Sequence, residues 1–244
     1  MHPLVTPAGH PLSVVSPPDH EWHRGLWFAI KFVDSVNFWE EIDPFGTQRV
    51  VGPGQLEWVR PDGRIALVER RSLAAVDAAA ADDGNHAGVG ARSYALDWAT
   101  TLTAPDGALL DRTPYTTWGG YGGLAFRGTR QWRHTRILLA DGATYERPEG
   151  VPALWCDLSN DDAGITFLDH PHNRRHPVPW YGATRSLVYG KGWSNFVNAA
   201  FLFHEPMLLA PGEELRLRYR IIVHDGRWSF DQADEAWHRW IASR

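Results

Sequence analysis

Residues 215–224 read LRLRYRIIVH, and this decamer decides the fold class. Leu215, Leu217, Tyr219, Ile221 and Val223 recur with period two, and Arg216, Arg218 and Arg220 take the alternate positions. Successive side chains of an extended chain point to opposite faces. The pattern therefore predicts a strand with one apolar face and one solvated arginine face. A second run, ARSYALDWATTLTA at 91–104, repeats the pattern with Tyr94, Leu96, Trp98, Thr100 and Leu102 on one side. Asp-Gly or Pro-Gly turn signals separate such runs, at 60–63, 82–84, 105–107, 140–142, 210–212 and 224–226.

Working outward, short strands between tight turns predict an all-β, mostly antiparallel chain, folded as a sandwich or a wide barrel. Helical patterns are scarce. SLAAVDAAAADD at 72–83 fits either a helix or a strand and loop. The C-terminal segment at about 229–243 is clearer. Ser229 with Gln232 forms a capping-box pattern, and Ala233, Trp237, Trp240 and Ile241 fall on one helical face. No repeat or linker divides residues 1–244, so one domain is expected.

Composition narrows the function classes. The formal charge is −5, from 24 Lys+Arg against 29 Asp+Glu, which argues against a nucleic-acid partner. The single cysteine, Cys156, excludes an internal disulfide framework and a thiolate-rich metal cluster. A reduced, cytoplasmic setting fits. The N-terminus shows no signal-peptide pattern, and no apolar run is long enough to span a membrane. The thirteen tryptophans suit a large sandwich core, and any at the surface offer flat faces for ligands such as sugars.

Two histidine-rich stretches carry most of the chemistry. Asp19-His-Glu-Trp-His-Arg-Gly-Leu-Trp27 follows Ser16-Pro-Pro18, and its prolines predict a loop in which His20 and His23 can converge. DHPHNRRHPVPW at 169–180 holds Pro171, Pro177 and Pro179, which exclude a regular element over most of its length. Imidazoles there could move protons near neutral pH, ligate a divalent metal or simply cap a solvated loop. Gly119–Gly123, interrupted by Tyr121, permits close approach of a ligand or of another strand. His204-Glu205 ends at a proline, and neighbouring strand residues do not share a face. No nucleophile elbow or dinucleotide fingerprint is present.

Taken together, the segments His23–Trp27, Asn37–Trp39, Tyr121–Leu124, Phe126-Arg127, Trp155–Asp157, Asp169–Pro171, Asn173, Arg175–Pro177, Pro179-Trp180 and Pro211–Glu213 resemble the PmoA-like, or DUF6807, family. Leu217–Arg220 and Val223–Gly226 complete a match running from about residue 10 to residue 226. The chain departs from the family pattern at Glu21-Trp22, where relatives more often read Pro-His. The resemblance implies a bacterial protein with a galactose-mutarotase-like supersandwich, acting in the catabolism of sugars, keto-sugars included. The methane-oxygenase wording of the family label has no support in these motifs.

The reading that follows is a carbohydrate-active lyase, hydrolase or isomerase using histidine acid–base chemistry on a small-molecule substrate. His20, His23, His170 and His176 line one cleft as catalytic groups. Arg24, Arg127, Asp169 and Asn173 orient substrate oxygens, and Trp27, Trp180 and Tyr121 offer stacking faces. This reading names no particular cofactor. A second reading makes His20, His23, His170, His176 and Asp169 the pool of ligands for a divalent metal. A third makes the chain a non-catalytic carbohydrate-binding module.

Overall fold

A computed structural model describes residues 1–76, 92–113, 121–186 and 192–243, and in it the two period-two runs are adjacent antiparallel strands. Leu215, Leu217, Tyr219, Ile221 and Val223 lie opposite Leu102, Thr100, Trp98, Leu96 and Tyr94. The two faces inferred separately coincide residue for residue. Their side chains enter one large core, in which Tyr219 and Ile221 are fully buried.

The strands in chain order begin with β1 (Leu26–Ile30), β2 (Phe32–Val33), β3 (Val36–Asn37), β4 (Thr47–Gly52), β5 (Gln55–Val59) and β6 (Ile65–Val76). Next come β7 (Ser93–Thr103), β8 (Ala108–Asp111), β9 (Gly122–Gly128), β10 (Arg136–Leu139), β11 (Thr144–Tyr145) and β12 (Glu149–Pro152). The last are β13 (Trp155–Ser159), β14 (Ala163–Asp169), β15 (Pro179–Arg185), β16 (Ser194–Ala199), β17 (Met207–Leu209) and β18 (Glu214–Asp225), before helix α1 (Phe230–Ala242). Residues 72–76 of the alanine-rich stretch are strand, as the end of β6. Its remainder from 77, and the turn expected at 82–84, lie outside the described residues.

Two sheets make the sandwich. The larger runs β11-β10-β13-β14-β18-β7-β6-β5-β4 and the smaller β1-β9-β16-β15-β12, and a third, small sheet runs β17-β8-β2-β3. Among the described residues no barrel closes these sheets, and the pairings between named strands are antiparallel. Alternation sorts each strand. On β1, Leu26, Phe28 and Ile30 face the main core, whereas Trp27 and Ala29 join a separate aromatic cluster on the outer face. On β18, Ile222 faces outward into a third cluster with Trp237 and Trp240 of α1. The capping box forms as expected, with the Ser229 hydroxyl accepting from the Gln232 amide. The order of layers is thus α1, nine-stranded sheet, core, five-stranded sheet, outer aromatic cluster.

A buried polar network braces the outer face of the nine-stranded sheet. Asp157 accepts from Thr166 (2.9 Å), Ser159 (2.5 Å) and the Nε2 side of His224 (3.1 Å), and His224 stacks on Trp228 at 4.3 Å. Ser159 bonds to Asp157 and not to His224, so these three do not form a nucleophile with its base. Gly164 lies under His224, and a Cβ there would sit 2.0 Å from the ring carbon Cε1. The ring is fixed on both nitrogens, so it cannot yield cheaply. Gly164→Ala is expected to lower stability by about 2–3 kcal/mol in urea unfolding, a cost typical of overpacking. A loss below about 0.5 kcal/mol, the range of neutral surface changes, would show that the ring is not held.

Candidate active site

The sequence Ser16-Pro-Pro-Asp-His-Glu-Trp-His folds as two consecutive tight turns. The His20 amide donates to the Pro17 carbonyl (2.9 Å), the His23 amide to the His20 carbonyl (3.0 Å), and the Ser16 amide closes the loop on the His23 carbonyl (2.8 Å). A three-residue turn returns the chain on itself, so the His-x-x-His spacing puts the two rings face to face. Their centroids are 4.6 Å apart. Phe196 of β16 stacks on the other side of His23 at 5.4 Å, giving a three-layer stack of His20, His23 and Phe196. The structure therefore brings His20 and His23 together.

Beneath the loop, Arg127 projects from the outer face of β9, because Leu124 and Phe126 take the inner one. Its guanidinium reaches Asp19 at 2.5 Å, and both side chains are 3% exposed. Arg130 pairs with the other carboxylate oxygen at 2.7 Å, and His20 Nδ1 lies 2.9 Å from Asp19 Oδ2. Burial alone would raise the Asp19 carboxyl, but Arg127, the His20 hydrogen bond and Arg130 outweigh it and hold it well below the usual carboxylate range. An ionised Asp19 can only accept, so His20 carries its proton on Nδ1 and its lone pair on Nε2.

Burial lowers the His20 imidazole, partly offset by the Asp19 hydrogen bond. Burial lowers His23 much further, with the charges of His20 and Arg127 adding to the effect. Both rings are therefore held toward the neutral form. His23 is 2% exposed, and neither of its ring nitrogens has a hydrogen-bond partner among the described residues. An unsatisfied buried polar group costs about 1–3 kcal/mol, which a purely structural histidine would avoid by bonding.

The sign of the pH dependence follows from these directions. A group that protonates less readily in the folded chain stabilises the fold above its unfolded pKa, about 6.5 for imidazole, and loses that contribution as the pH falls. Asp19 has the same sign below about 3.9. Asp169, raised by burial, has the opposite sign and partly offsets Asp19 in acid. Calorimetry is expected to show the melting temperature falling between about pH 7.5 and about pH 5.5, with a shallower fall in the His20→Gln/His23→Gln double variant. Equal slopes for the two proteins would remove these imidazoles from the explanation.

A wall of aromatic rings surrounds the stack. Trp27, Ala125, Asn198 and Tyr181 form a cross-strand row on the outer face of β1, β9, β16 and β15. Trp39 stacks on Tyr121 at 4.8 Å and meets His23 edge-on, and Trp22 stands edge-on to His20. The turn that carries Trp39 is built by Asn37, whose side-chain oxygen accepts the amides of Trp39 and Glu40. Glu40 pairs with the buried Lys31, which continues the outer row of β1, and its charge also acts on His20. Arg24 braces the loop through Ser16 (2.7 Å), the Glu21 carbonyl and Glu41.

The second histidine stretch lies elsewhere, and the expectation of one shared cleft is corrected. Asp169 ends β14 fully buried, and its carboxylate accepts from Asn173 (2.7 Å), the Val178 amide (2.8 Å) and His176 Nδ1 (2.7 Å). Asn173 exchanges hydrogen bonds with the amide and carbonyl of Arg218, in the manner of an added strand residue. His176 stacks on Trp237, whose indole donates to the Asp169 carbonyl (2.8 Å). Asp169, Asn173 and His176 thus lock the loop to β18 and α1, at the end of the opposite sheet. His170 packs edge-on against Trp240 of the same helix.

Trp180 is also displaced from its expected role. It is fully buried in the main core, with its indole donating to the Ala153 carbonyl, and cannot offer a ligand a face. Adjacent strand residues point oppositely, so Tyr181 takes the outer position instead. The five groups considered as a metal-ligand pool divide between the two sheets, and no cluster of three or more His, Cys, Asp or Glu able to hold a metal occurs among the described residues. Cys156 is buried, as expected of a packing residue. Trp118, Gly119 and Gly120 lie outside the described residues, while Gly123 takes φ +118° with the Ala199 carbonyl 2.2 Å from where a Cβ would be. That is the close approach of another strand.

Sequence reasoning missed Asp19, Arg130, Trp39, Tyr181 and Phe196 as site residues. Asp19 was legible as the acid adjacent to His20. The others depend on strand register and on the turn at Asn37, for which the chain carries no local chemical signal.

Fold and site together define an all-β antiparallel sandwich with a buried Asp–His–Arg cluster set in an aromatic face. Residues 1–238 match the model of a family of unknown function, DUF6807, and the chain belongs to that family. Comparison with curated proteins gives no match. No helix among the described residues is long and apolar enough to cross a membrane.

Proposed function

We propose that this protein is an enzyme that moves protons on a carbohydrate substrate bound to the outer face of the five-stranded sheet. The observation that carries the reading is the Asp19–His20 pair, clamped by Arg127 and stacked on His23, whose ring nitrogens have no hydrogen-bond partner among the described residues, inside an aromatic wall. His20 is the base, through Nε2. Asp19 fixes its tautomer and stabilises the imidazolium that forms, as a buried carboxylate does for a general-base histidine. His23, held neutral, donates an N–H hydrogen bond to the carbonyl oxygen as charge develops there, and the proton taken by His20 is returned from its imidazolium. Trp22 and Tyr121, the partly exposed rings of the wall, supply the flat faces on which a sugar ring stacks, backed by the buried Trp27 and Trp39.

The reaction class that fits is removal of a proton from a carbon beside a sugar carbonyl, followed by reprotonation or elimination. The supersandwich relation to galactose mutarotase implied by the family resemblance belongs to this proposal, as does a place in bacterial sugar catabolism. The aromatic wall alone would equally serve a sugar-binding module without chemistry.

Incubation with keto- and aldo-sugars in D2O, followed by proton NMR, separates these readings. The enzyme reading expects enzyme-dependent deuterium incorporation beside the carbonyl of at least one sugar, or its elimination product. Saturable tryptophan quenching by a sugar with no exchange and no product would favour the module.

A further inference from the structure

A second site lies on the other side of the molecule, between β18 and the end of α1. A cavity of about 440 Å³ there is lined by His170, His172, Arg218, Arg220, Asp97 and Trp240, among others. Its volume is within the range of small-ligand pockets.

The arginines of β18 differ in their partners. Arg216 is paired with Glu214, and Arg220 is held by Asp97 through two hydrogen bonds of 2.7 and 2.8 Å. Arg218 has no carboxylate partner among the described residues. Its guanidinium instead lies 3.2 Å from His170 Nδ1 and 3.3 Å from His172 Nδ1.

A guanidinium can only donate, so both Nδ1 atoms are acceptors. His170 Nδ1 also accepts the His172 amide at 3.1 Å, which supports the same assignment. In each neutral ring the proton is then on Nε2. This corner of the cavity therefore holds two imidazoles, each with its N–H on Nε2, beside an arginine that no acid among the described residues neutralises. With Asp97 bound to Arg220, whose guanidinium lies 5.5 Å from the Trp240 ring, the two arginines and one carboxylate leave a local charge of +1.

We propose that this cavity binds a small organic or inorganic oxyanion carrying about one charge, a carboxylate or a phosphate monoanion, through Arg218 and the imidazole N–H of His172. A planar guanidinium with a flanking N–H matches the paired oxygens of such a group, and the Trp240 ring gives an apolar side for a carbon skeleton. The site is separate from the Asp19–His20–His23 cluster and does not depend on the function proposed for it.

Arginine and histidine side-chain NMR on the whole chain tests the proposal, with acetate, gluconate and inorganic phosphate titrated separately at constant ionic strength. At least one anion is expected to shift the Arg218 and His172 signals saturably, with Kd of about 1 mM or tighter. Arg218→Gln is expected to weaken that binding about tenfold or more, as loss of a charged hydrogen bond does. His172→Phe should weaken it less. Preference for acetate or gluconate identifies a carboxylate site, and preference for phosphate a phosphate site. Linear, non-saturating shifts with all three anions, or binding unchanged in Arg218→Gln, would overturn the proposal.

Discussion

Asp19→Ala is expected to cost about 3–5 kcal/mol of folding stability, the effect of removing one partner of a buried ion pair. The charge left behind is Arg127, which is 3% exposed and has no other carboxylate partner among the described residues. Native domains are stable by only about 5–15 kcal/mol, so such a loss shifts the urea midpoint strongly. Asp19→Asn should fall between wild type and alanine, because it keeps the shape and one acceptor. A double-mutant cycle with Arg127→Met checks the mechanism, since removing both charges should recover part of the loss. If Asp19→Ala alone costs less than about 1 kcal/mol, the pair behaves like a surface salt bridge and the buried clamp is wrong.

His20→Gln is expected to reduce turnover of the responsive sugar by about 10²- to 10⁴-fold, the usual contribution of a positioned general base. Glutamine keeps a hydrogen bond toward Asp19 but cannot take up a proton, so folding should be retained. The lesion should appear in kcat more than in KM, since the group acts in the transition state. His176→Gln supplies the contrast. That ring sits against Trp237 on the opposite sheet, so a folded His176→Gln protein should turn over within about twofold of wild type, with its cost appearing as lost stability. Equal losses of turnover in both variants would return the two histidine stretches to a common site.

The sandwich was readable because period-two alternation is a property of each strand by itself. β7 and β18 announced their inner faces independently, and their register then matched the faces residue by residue. The C-terminal helix was readable for a similar reason, since a capping box and a four-residue apolar spacing are local. The convergence of His20 and His23 was also local, resting on a proline-led loop. What failed was the joining of two loops about 150 residues apart. Both are rich in histidine and both match the family, but neither property encodes which sheet a loop crosses. Trp180 failed for a related reason. In Trp180-Tyr181 one aromatic must face in and the other out, and composition alone does not say which. The Asp169–His176 pair has the same residue types as Asp19–His20, yet its carboxylate is fully occupied by loop donors.

The most direct test of the central assignment is histidine ring NMR on ¹⁵N-labelled protein at about pH 7, before and after adding a sugar that exchanges or reacts. His20 should show the Nδ1–H tautomer in the free protein. On sugar addition its signals and those of His23 should move, while those of His176 stay fixed. Movement of His170 and His176 with no change at His20 or His23 would place the sugar on the opposite sheet and contradict the account.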